Sequence, residues 1–353
     1  MDKYFTPGPV EMSPIAESVG VGQLPYFRTA SFSKLTKECE SLLLALSSAP
    51  QNSRIVFLAA SGTGAMDAAI ANLIQDDDIS TVINAGGFGQ RFVDILSHYG
   101  FRSSSVDIED GESCSTSMGK IKVEHNLIYN LHETTTGALH DIEFLSERSK
   151  NIPGVHIVDA ISSFLCDDIN MERHNIDALI LSSQKALALP PGLSMIILSP
   201  KAIARINKLT SKSYYFDLKE YLINGERGQT PYTPAVSIMM QLHARLQELS
   251  SKGYSFWVNE CRVQAVHFRE EIKSSCFSLF ANAPSNAVTA LSCKKCKYTA
   301  IEVVRKLEEK GLLVTPNGGN LANIVFRVGH MGCLNVGSYD ELIESINSIE
   351  GKV

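Results

Sequence analysis

The chain has 353 residues, of which 44% are hydrophobic and 20% charged, and its formal net charge is −6. This composition is that of an ordinary soluble globular protein with a large core, and the length predicts two or three lobes. The negative charge, without a basic cluster that contains aromatic residues, argues against a nucleic-acid-binding surface. No apolar run reaches the length of a signal-peptide core or a membrane span, so we expect a cytoplasmic protein.

The eight cysteines are scattered without the regular spacing of a disulfide framework. Reduced thiols in a cytosolic protein have this distribution. Cys293 and Cys296 form the one pair with a motif spacing, and no second pair lies near them. We therefore predict a solvated turn there, rather than a zinc or redox site, and no bound metal.

The predicted elements begin with an N-terminal arm. Residues 5–10 (FTPGPV) contain two prolines and a glycine, which exclude a helix or a central strand and predict an extended, kinked segment. A plain tail is the alternative to an arm with a function. A helix over residues 31–46 follows Arg28, whose side chain either reaches a functional site or remains solvated.

A strand over residues 54–60 leads into a serine- and glycine-rich turn and a helix over residues 65–74. Ser61, Gly62 and Thr63 place backbone amides and two hydroxyls at this helix start. Such a start suits a phosphate group, although it also fits an ordinary capped helix. The next strand, over residues 81–84, precedes several glycines around Phe88, whose ring lies either flat against a ligand or in the core.

Three further strands continue the pattern. A strand over residues 126–131 ends in the segment HETTTG, whose threonine hydroxyls either contact a ligand or cap a turn. A strand over residues 156–159 ends in Asp159, and apolar runs over 178–181 and 193–198 predict two buried strands. Strands alternate with helices from residue 54 to residue 198, which indicates a mostly parallel, doubly wound α/β sheet. Such a sheet binds ligands where its strands end.

Lys185 lies between the last two of these strands, in the segment SSQKALALPPG. Burying an ammonium group is unfavourable unless the charge is paired or lost. A surface lysine with its stem on apolar neighbours is one interpretation, and a lysine whose amine becomes an imine is the other. Lysine as a Schiff base, with an aspartate that keeps a pyridinium nitrogen protonated, is what a pyridoxal phosphate site requires, and Asp159 supplies the second group.

Two long helices, over residues 235–249 and 253–274, lead into the last part of the chain. Residues 277–350 alternate short strands with helices over 298–310 and 338–349, which predicts a compact α+β lobe. The strand over residues 324–329 carries Arg327 within an apolar run. An arginine in such a place must bind an anion, either a ligand or a carboxylate of the protein.

The segments SSQKALALPPG, VDAISSF and SGT together resemble those of the class V aminotransferases, and the resemblance extends from residue 5 to about residue 332. It implies a transferase of fold type I that depends on pyridoxal phosphate (PLP), with a mostly parallel, seven-stranded sheet in the large domain and a small C-terminal α+β domain. We place the N-terminal arm at 1–20, the large domain at 21–250 and the small domain at 251–353. The resemblance also implies a homodimer.

The resemblance assigns roles to particular residues of this chain. Lys185 and Asp159 match the catalytic pair, and Lys185 would form the Schiff base with pyridoxal 5′-phosphate. The matching cofactor-binding residues are Ser61, Gly62, Thr63, Phe88, Thr134, Asp159, Gln184, Lys185 and Thr233. Thr233 would act across the dimer interface. Alanine–glyoxylate enzymes carry a tyrosine where this chain has Thr230. Arg327 and Gly8 match substrate-binding positions.

Several functions fit these residues. The first is transfer of an amino group from a small donor, alanine or serine, to glyoxylate or pyruvate, and the alternative is 2-aminoethylphosphonate–pyruvate transamination. A cysteine desulfurase is disfavoured because Cys333, just after Arg327, is in the wrong place for its nucleophile. A scaffold protein without catalysis is disfavoured because the lysine, aspartate, arginine and aromatic residue are all retained. A dinucleotide-binding protein is disfavoured because no GxGxxG follows a strand.

Overall fold

The computed structural model describes residues 2–20 and 22–349. Within these residues the strands, in chain order, are β1 (Lys3–Tyr4), β2 (Arg54–Leu58), β3 (Ile79–Asn84), β4 (Arg102–Asp107), β5 (Asn126–Asn130), β6 (His132–Glu133), β7 (Ala138–Leu139), β8 (His156–Asp159), β9 (Ala178–Ser182), β10 (Ser194–Leu198), β11 (Ser278–Leu279), β12 (Val288–Ser292), β13 (Leu312–Leu313), β14 (Thr315–Pro316) and β15 (Val325–Gly329).

The α-helices of the same residues are α1 (Pro14–Val19), α2 (Ala30–Leu46), α3 (Gly62–Leu73), α4 (Gly87–His98), α5 (Ile142–Ser149), α6 (Pro200–Lys208), α7 (Leu218–Gly225), α8 (Val236–Lys252), α9 (Tyr254–Glu271), α10 (Ala300–Glu308) and α11 (Asp340–Asn347). Short 3₁₀ helices cover Cys114–Lys120, Gly319–Leu321 and Val336–Tyr339. In the described part of the chain, no helix is both long and apolar enough to span a membrane.

A seven-stranded sheet forms the centre of the molecule, with the strand order β2-β10-β9-β8-β5-β3-β4. Strand β10 is antiparallel to both of its neighbours, and the other neighbouring pairs are parallel. The prediction of a mostly parallel, doubly wound sheet is therefore confirmed. Because β9 and β10 are antiparallel and adjacent, the segment with Lys185 turns back at the edge where the parallel strands end.

Successive side chains of a strand point to opposite faces of the sheet. The central strands are apolar at nearly every position, so both faces of the sheet are apolar. In β9, Leu179 belongs to the core on one face and Ile180 to the core on the other. Helices α2 and α8 cover the first face, and α3 and α4 cover the second. A sheet buried on both sides is rigid, so its strand ends provide fixed positions for functional side chains.

A second sheet has the antiparallel order β11-β12-β15-β14 and lies in the C-terminal part of the chain. Phe326 of β15 packs in its core with residues of α10 and α11. Cys293 and Cys296 belong to the same core, with exposed fractions of 4% and 1%. The prediction of a solvated turn there is wrong for the cysteines. The backbone turns as expected, but the thiols point inward and the lysines between them are exposed.

The N-terminal arm connects the two sheets rather than trailing in solvent. Strand β1 pairs in parallel with β13, and the buried Phe5 accepts a hydrogen bond from the backbone N–H of Gly329 at 2.7 Å. Five residues later, the Val10 N–H donates to the backbone carbonyl of Gln184 at 3.3 Å. The arm thereby passes beside the segment that carries Lys185. The domain boundaries given above stay a prediction.

Candidate active site

A cavity of about 290 Å³ opens where strands β2, β3, β5, β8 and β9 end. All the predicted site residues except Thr233 and Arg327 line it. Chain segments far apart in sequence supply these residues, and the parallel strands bring them together. The carboxyl edge of such a sheet is where ligands bind in doubly wound folds.

Lys185 lies in the turn after β9, with its amine directed at the arm. Its Nζ donates a hydrogen bond to the backbone carbonyl of Pro7. The pKa of Lys185 is lowered to about 8. Burial is the largest cause, and the positive charge of Arg327 is the second. A larger fraction of the amine is therefore neutral and nucleophilic near neutral pH than for a lysine in water.

Asp159 is the last residue of β8 and is 5% exposed. Its Oδ1 accepts a hydrogen bond from the backbone N–H of Ile161 at 2.8 Å. Burial raises the pKa of Asp159 to about 7, although Lys185 and Arg91 act in the opposite direction. Among the described residues, no cation forms an ion pair with this carboxylate, so a positively charged group of a ligand would stabilise its ionised form.

The start of α3 provides an anion-binding edge. Ser61 precedes the helix, but its side chain accepts no hydrogen bond from the first backbone N–H groups of the helix. A Cβ at Gly62 would lie 2.4 Å from Cδ1 of Ile161, so a larger residue at this position would have to displace the tip of that side chain. Arg91 donates to the Thr63 hydroxyl at 3.0 Å, which adds a cation beside the helix start.

Arg91 also lies over Phe88, with its guanidinium carbon 4.7 Å from the ring centroid. The two residues are three apart on α4 and so share a face of that helix. Sequence reasoning identified Phe88 but missed Arg91. Its spacing from Phe88 was the available signal, and its contact with Thr63 depends on how α3 and α4 pack together.

Glu133 is another residue that sequence reasoning did not identify. It is fully buried, and its Oε2 accepts hydrogen bonds from the backbone N–H groups of Phe88 at 3.1 Å and Gly89 at 3.2 Å. Its Oε1 accepts from the hydroxyl of Thr135 at 2.6 Å. A carboxylate at a helix start is favourable for both charge and hydrogen bonding. Glu133 therefore fixes the position of Phe88.

Thr134 and Gln184 line the cavity from opposite segments. The Thr134 hydroxyl donates to Oγ of Ser162 at 2.8 Å, so it joins the segment after β5 to the segment after β8. Gln184 accepts a hydrogen bond at Oε1 from the Ser182 hydroxyl at 2.6 Å. This contact leaves the amide NH₂ of Gln184 available as a donor.

Gly8 lies directly against Lys185. Its φ angle is +122°, and a Cβ there would be 2.6 Å from Cδ and 2.9 Å from Nζ of Lys185. Only glycine accommodates both the backbone conformation and this approach. The arm is therefore part of the cavity wall, as the interpretation of a functional arm predicts.

Arg327 lies just behind the cavity wall. Its Nη1 donates to the carbonyl of Thr134 at 3.3 Å and its Nη2 to the carbonyl of Pro316 at 2.9 Å, while its Nε is buried without a partner. Its half-buried side chain has no ion pair with a carboxylate of the described residues. The alternative prediction, a salt bridge between Arg327 and a carboxylate of the protein, is therefore wrong for the described residues.

Thr233 is exposed and does not line the cavity of its own chain. The loop before it is held by Arg28, which donates to Oε1 of Gln229 at 3.0 Å and to the carbonyl of Thr230 at 2.9 Å. Arg28 is half-buried and does not line the cavity of its own chain, so the interpretation that it reaches this cavity is not what the structure shows. Its guanidinium fixes the loop that carries Thr233.

Three comparisons with known proteins agree with this geometry. The family model described as "Aminotransferase class-V" matches residues 25–334. An uncharacterized aminotransferase of Methanocaldococcus jannaschii is 31% identical over 343 residues, which are 92% of this chain and 86% of that protein. A serine–glyoxylate aminotransferase of Arabidopsis thaliana is 26% identical over 364 residues, 94% of this chain and 86% of that protein.

Solved structures show the same fold. The crystal structure of an aspartate aminotransferase of subgroup IV from Thermus thermophilus matches with a TM-score of 0.90 at 26% identity, covering 98% of this chain and all of that chain. Similarity along nearly the full length of both proteins means that the two sheets and the arm are shared, rather than one motif alone.

Proposed function

Because the chain belongs to the class V aminotransferases, we propose that it moves an amino group from alanine or serine to glyoxylate or pyruvate, with pyridoxal 5′-phosphate as cofactor. The observation that carries the proposal is that Lys185 and Asp159 line one cavity with their pKa values shifted towards neutrality. Burial produces both shifts, which are typical of functional groups.

The residues present fit this cofactor. It requires a nucleophilic amine, a carboxylate for its ring nitrogen and a site for its phosphate group. Lys185 supplies the first and Asp159 the second, since Asp159 is buried and forms no ion pair with a cation of the described part of the chain. The start of α3, together with Thr63 and Arg91, supplies the third.

The bound cofactor supplies a ring that accepts the electron pair of the substrate's α-carbon. The protein's own groups then do the rest. The Lys185 amine, whose pKa is lowered to about 8, takes the proton from the α-carbon and returns it to C4′ of the cofactor. Asp159 holds the proton on the ring nitrogen. Phe88, fixed by Glu133, provides an aromatic wall, and the arm keeps water from the Lys185 side.

The charges around the cavity favour a small donor with one carboxylate. Lys185 and Arg91 are the cations among the described residues that line the cavity, and Arg91 is already in contact with Thr63 and Phe88. Arg327, with an unpaired Nε behind Thr134, is the group that we assign to the substrate's α-carboxylate. A second acidic group on the donor would have no further cation to bind.

We assign Thr233 to the cofactor phosphate of a second copy of the chain, so that the active form is a homodimer. The support for this assignment is that Thr233 is exposed and lies outside its own cavity, while Arg28 holds its loop in place. An exposed hydroxyl on a fixed loop can reach a neighbouring molecule without a large loss of conformational entropy.

The test is a spectroscopic titration of the purified protein with the cofactor bound. Alanine, serine, aspartate and 2-aminoethylphosphonate are added singly, and the loss of the yellow absorbance and the oxo product are measured. Bleaching by alanine or serine, restored by glyoxylate or pyruvate, is expected. Lys201→Ala, which alters a lysine paired with Asp177 at 3.2 Å, is the control for Lys185→Ala. Bleaching by 2-aminoethylphosphonate or aspartate alone would contradict the donor assignment.

A further inference from the structure

A second cavity, of about 240 Å³, borders the chain segment that carries Lys185. Gln184 and Lys185 line the first cavity, whereas Ala186 lines the second, and no described residue lines both. Helices α8 and α9 contribute to its wall, together with the segment after β15. The chemistry proposed above uses none of the residues of this second cavity.

The sequence spacing on the two helices directs these residues to the second cavity. On each helix the lining residues recur every three or four positions, which places them on one face. They are Arg245, Glu248 and Leu249 on α8, and Trp257, Glu260, Cys261 and Gln264 on α9. Each of the two faces combines charged and apolar side chains, so the second cavity suits a ligand that has both kinds of group.

Arg245 is a buried cation of the second cavity, with only 2% of its side chain exposed. Its Nε donates to the backbone carbonyl of Leu187 at 3.3 Å, and its Nη1 donates to Oε2 of Glu248 at 2.6 Å. Its Nη2 has no hydrogen-bond acceptor among the described residues. Burying N–H groups of a cation without acceptors is unfavourable. A ligand carboxylate in the second cavity would supply the acceptor that Nη2 lacks.

The other charged residues of the described lining are acidic. Glu248 is already paired with Arg245, whereas Glu260 is exposed and forms no ion pair within the described part of the chain. His330 adds no charge, because burial lowers its pKa well below the usual value. Glu260 would repel a simple anion, and Arg245 would repel a simple cation. A ligand with both a carboxylate and an ammonium group matches both residues.

Much of the remaining lining is apolar. It includes Leu165, Cys166, Leu249, Trp257 and Met331. Burial raises the pKa of the Cys166 thiol well above its usual value, so this thiol is uncharged and acts as a small apolar group. Such a surface favours an aliphatic side chain over a polar one.

We propose that the second cavity is a further ligand site, which binds a free amino acid with an aliphatic side chain. The carboxylate of this ligand pairs with Nη2 of Arg245, and its ammonium group pairs with Glu260. Its side chain packs against Leu249 and Met331. This site is separate from the site of the amino donor, and it does not rest on the function proposed for Lys185.

The experiment measures the binding of L-leucine to the cofactor-loaded protein by calorimetry, while the visible absorbance reports on the first cavity. Leucine is not one of the donors proposed above. Saturable binding that leaves the yellow absorbance unchanged is expected. Two analogues each lack one charge: 4-methylpentanoate has no ammonium group, and 3-methylbutylamine has no carboxylate. Both are expected to bind more weakly than leucine.

Two variants assign the charges of the ligand to residues. Arg245→Met is expected to weaken leucine binding about tenfold, the effect of one lost charge-assisted pair, without weakening the binding of 3-methylbutylamine. Glu260→Gln is expected to weaken leucine binding without weakening that of 4-methylpentanoate. Its effect should be the smaller one, because Glu260 is exposed.

Arg262→Met is the matched control. Arg262 lies on the same helix as Glu260, donates to Oδ1 of Asn259 at 2.7 Å and does not line the second cavity. Its loss is expected to leave the affinity for leucine unchanged. Should Arg245→Met not fold, Arg245→Lys replaces it, with a smaller loss expected because lysine retains the charge without the planar group.

The outcomes separate this site from the proposed function. Equal leucine affinities in Arg245→Met and the unaltered protein, or no saturable binding, would overturn the second site. Binding that bleaches the yellow absorbance would place leucine in the first cavity and would also overturn it. A protein that never becomes yellow would overturn the cofactor assignment alone, because calorimetry measures the binding of leucine in either case.

Discussion

At the scale of single residues, burial moves the two central groups in the same chemical direction, towards their uncharged forms. It lowers the pKa of Lys185 to about 8 and raises the pKa of Asp159 to about 7. The strands that end at the cavity fix both groups where little water reaches them. A cofactor with a positive ring nitrogen would restore the charge of Asp159, so the protein is less stable without its ligand than with it.

Asp159→Asn is therefore expected to stabilise the cofactor-free protein at pH 8, by roughly 1–4 kcal/mol. The pKa of Asp159 is about 7 in the folded protein against 3.8 for the unfolded chain, so the folded state holds an extra proton between these values. The stability that Asp159 contributes thus falls as the pH rises from about 4 to about 7. Asparagine also retains an acceptor for the Ile161 N–H.

Urea unfolding of both proteins at pH 5 and pH 8 measures this difference. The stabilisation by asparagine should be larger at pH 8 than at pH 5. The Asp159→Asn variant should also bind the cofactor more weakly than the unaltered protein. A gain that is equal at both values, or a loss of stability at pH 8, would show that the carboxyl group is not desolvated as the structure indicates.

The residues that sequence alone could identify are those whose type is unusual for their place. A lysine between two apolar strands and an aspartate at a strand end are conspicuous in the sequence, and both line the cavity. Arg91, Glu133 and Arg245 could not be assigned in the same way. Each depends on a contact between elements: α3 with α4, β6 with the start of α4, and α8 with the segment after β9.

At the scale of elements, the N-terminal arm is the part whose position matters most for the site. Gly8→Ala is expected to impair cofactor binding, because the new methyl group would overlap the Lys185 side chain. Alanine at φ +122° also adds backbone strain of about 1–2 kcal/mol. Absorbance titration with pyridoxal 5′-phosphate measures the affinity.

Gly100→Ala separates the overlap from the strain. Gly100 has φ +73°, but a Cβ there meets no heavy atom within 4 Å. Both variants should be less stable to unfolding. Only Gly8→Ala should also bind the cofactor more weakly. Equal cofactor affinities in the two variants would mean that the arm does not restrict Lys185.

The elements also show what a sequence pattern can and cannot predict. Strands β9 and β10 are apolar throughout, and their positions agree with the prediction within one residue at either end. Strand β4 (Arg102–Asp107) was not predicted, because it is an exposed edge strand of mostly polar residues. The turn of Cys293 and Cys296 was predicted as solvated because no second cysteine pair lies near it in the sequence. Only the packing of the second sheet determines which side chains point inward.

At the scale of the whole molecule, one chain supplies a cavity wall from the ends of the seven-stranded sheet and from the arm, and the proposed homodimer would supply Thr233. This arrangement predicts complementation between two inactive variants. In a mixed dimer of Lys185→Ala and Thr233→Ala subunits, one of the two sites would contain both an intact Lys185 and an intact Thr233. Mixing the variants should therefore restore activity to some of the sites.

The matched control is a mixture of Lys185→Ala with Asp159→Asn. Lys185 and Asp159 line the cavity of the same chain, so no mixed dimer contains an intact site and no recovery is expected. Subunit exchange, measured by copurification of an untagged variant with a tagged one, shows that mixed dimers form. Mixed dimers without any recovery in the first mixture would contradict the role of Thr233 across the interface.

The central claim is that Lys185 forms the covalent bond to the cofactor. Reduction of the cofactor-loaded protein with borohydride, followed by peptide mass spectrometry, locates that bond directly. The phosphopyridoxyl group is expected on Lys185, with bond formation that becomes faster as the pH rises through about 8, the value to which burial lowers the pKa of this lysine. A label spread over exposed lysines, or no label on Lys185, would contradict the assignment of this site.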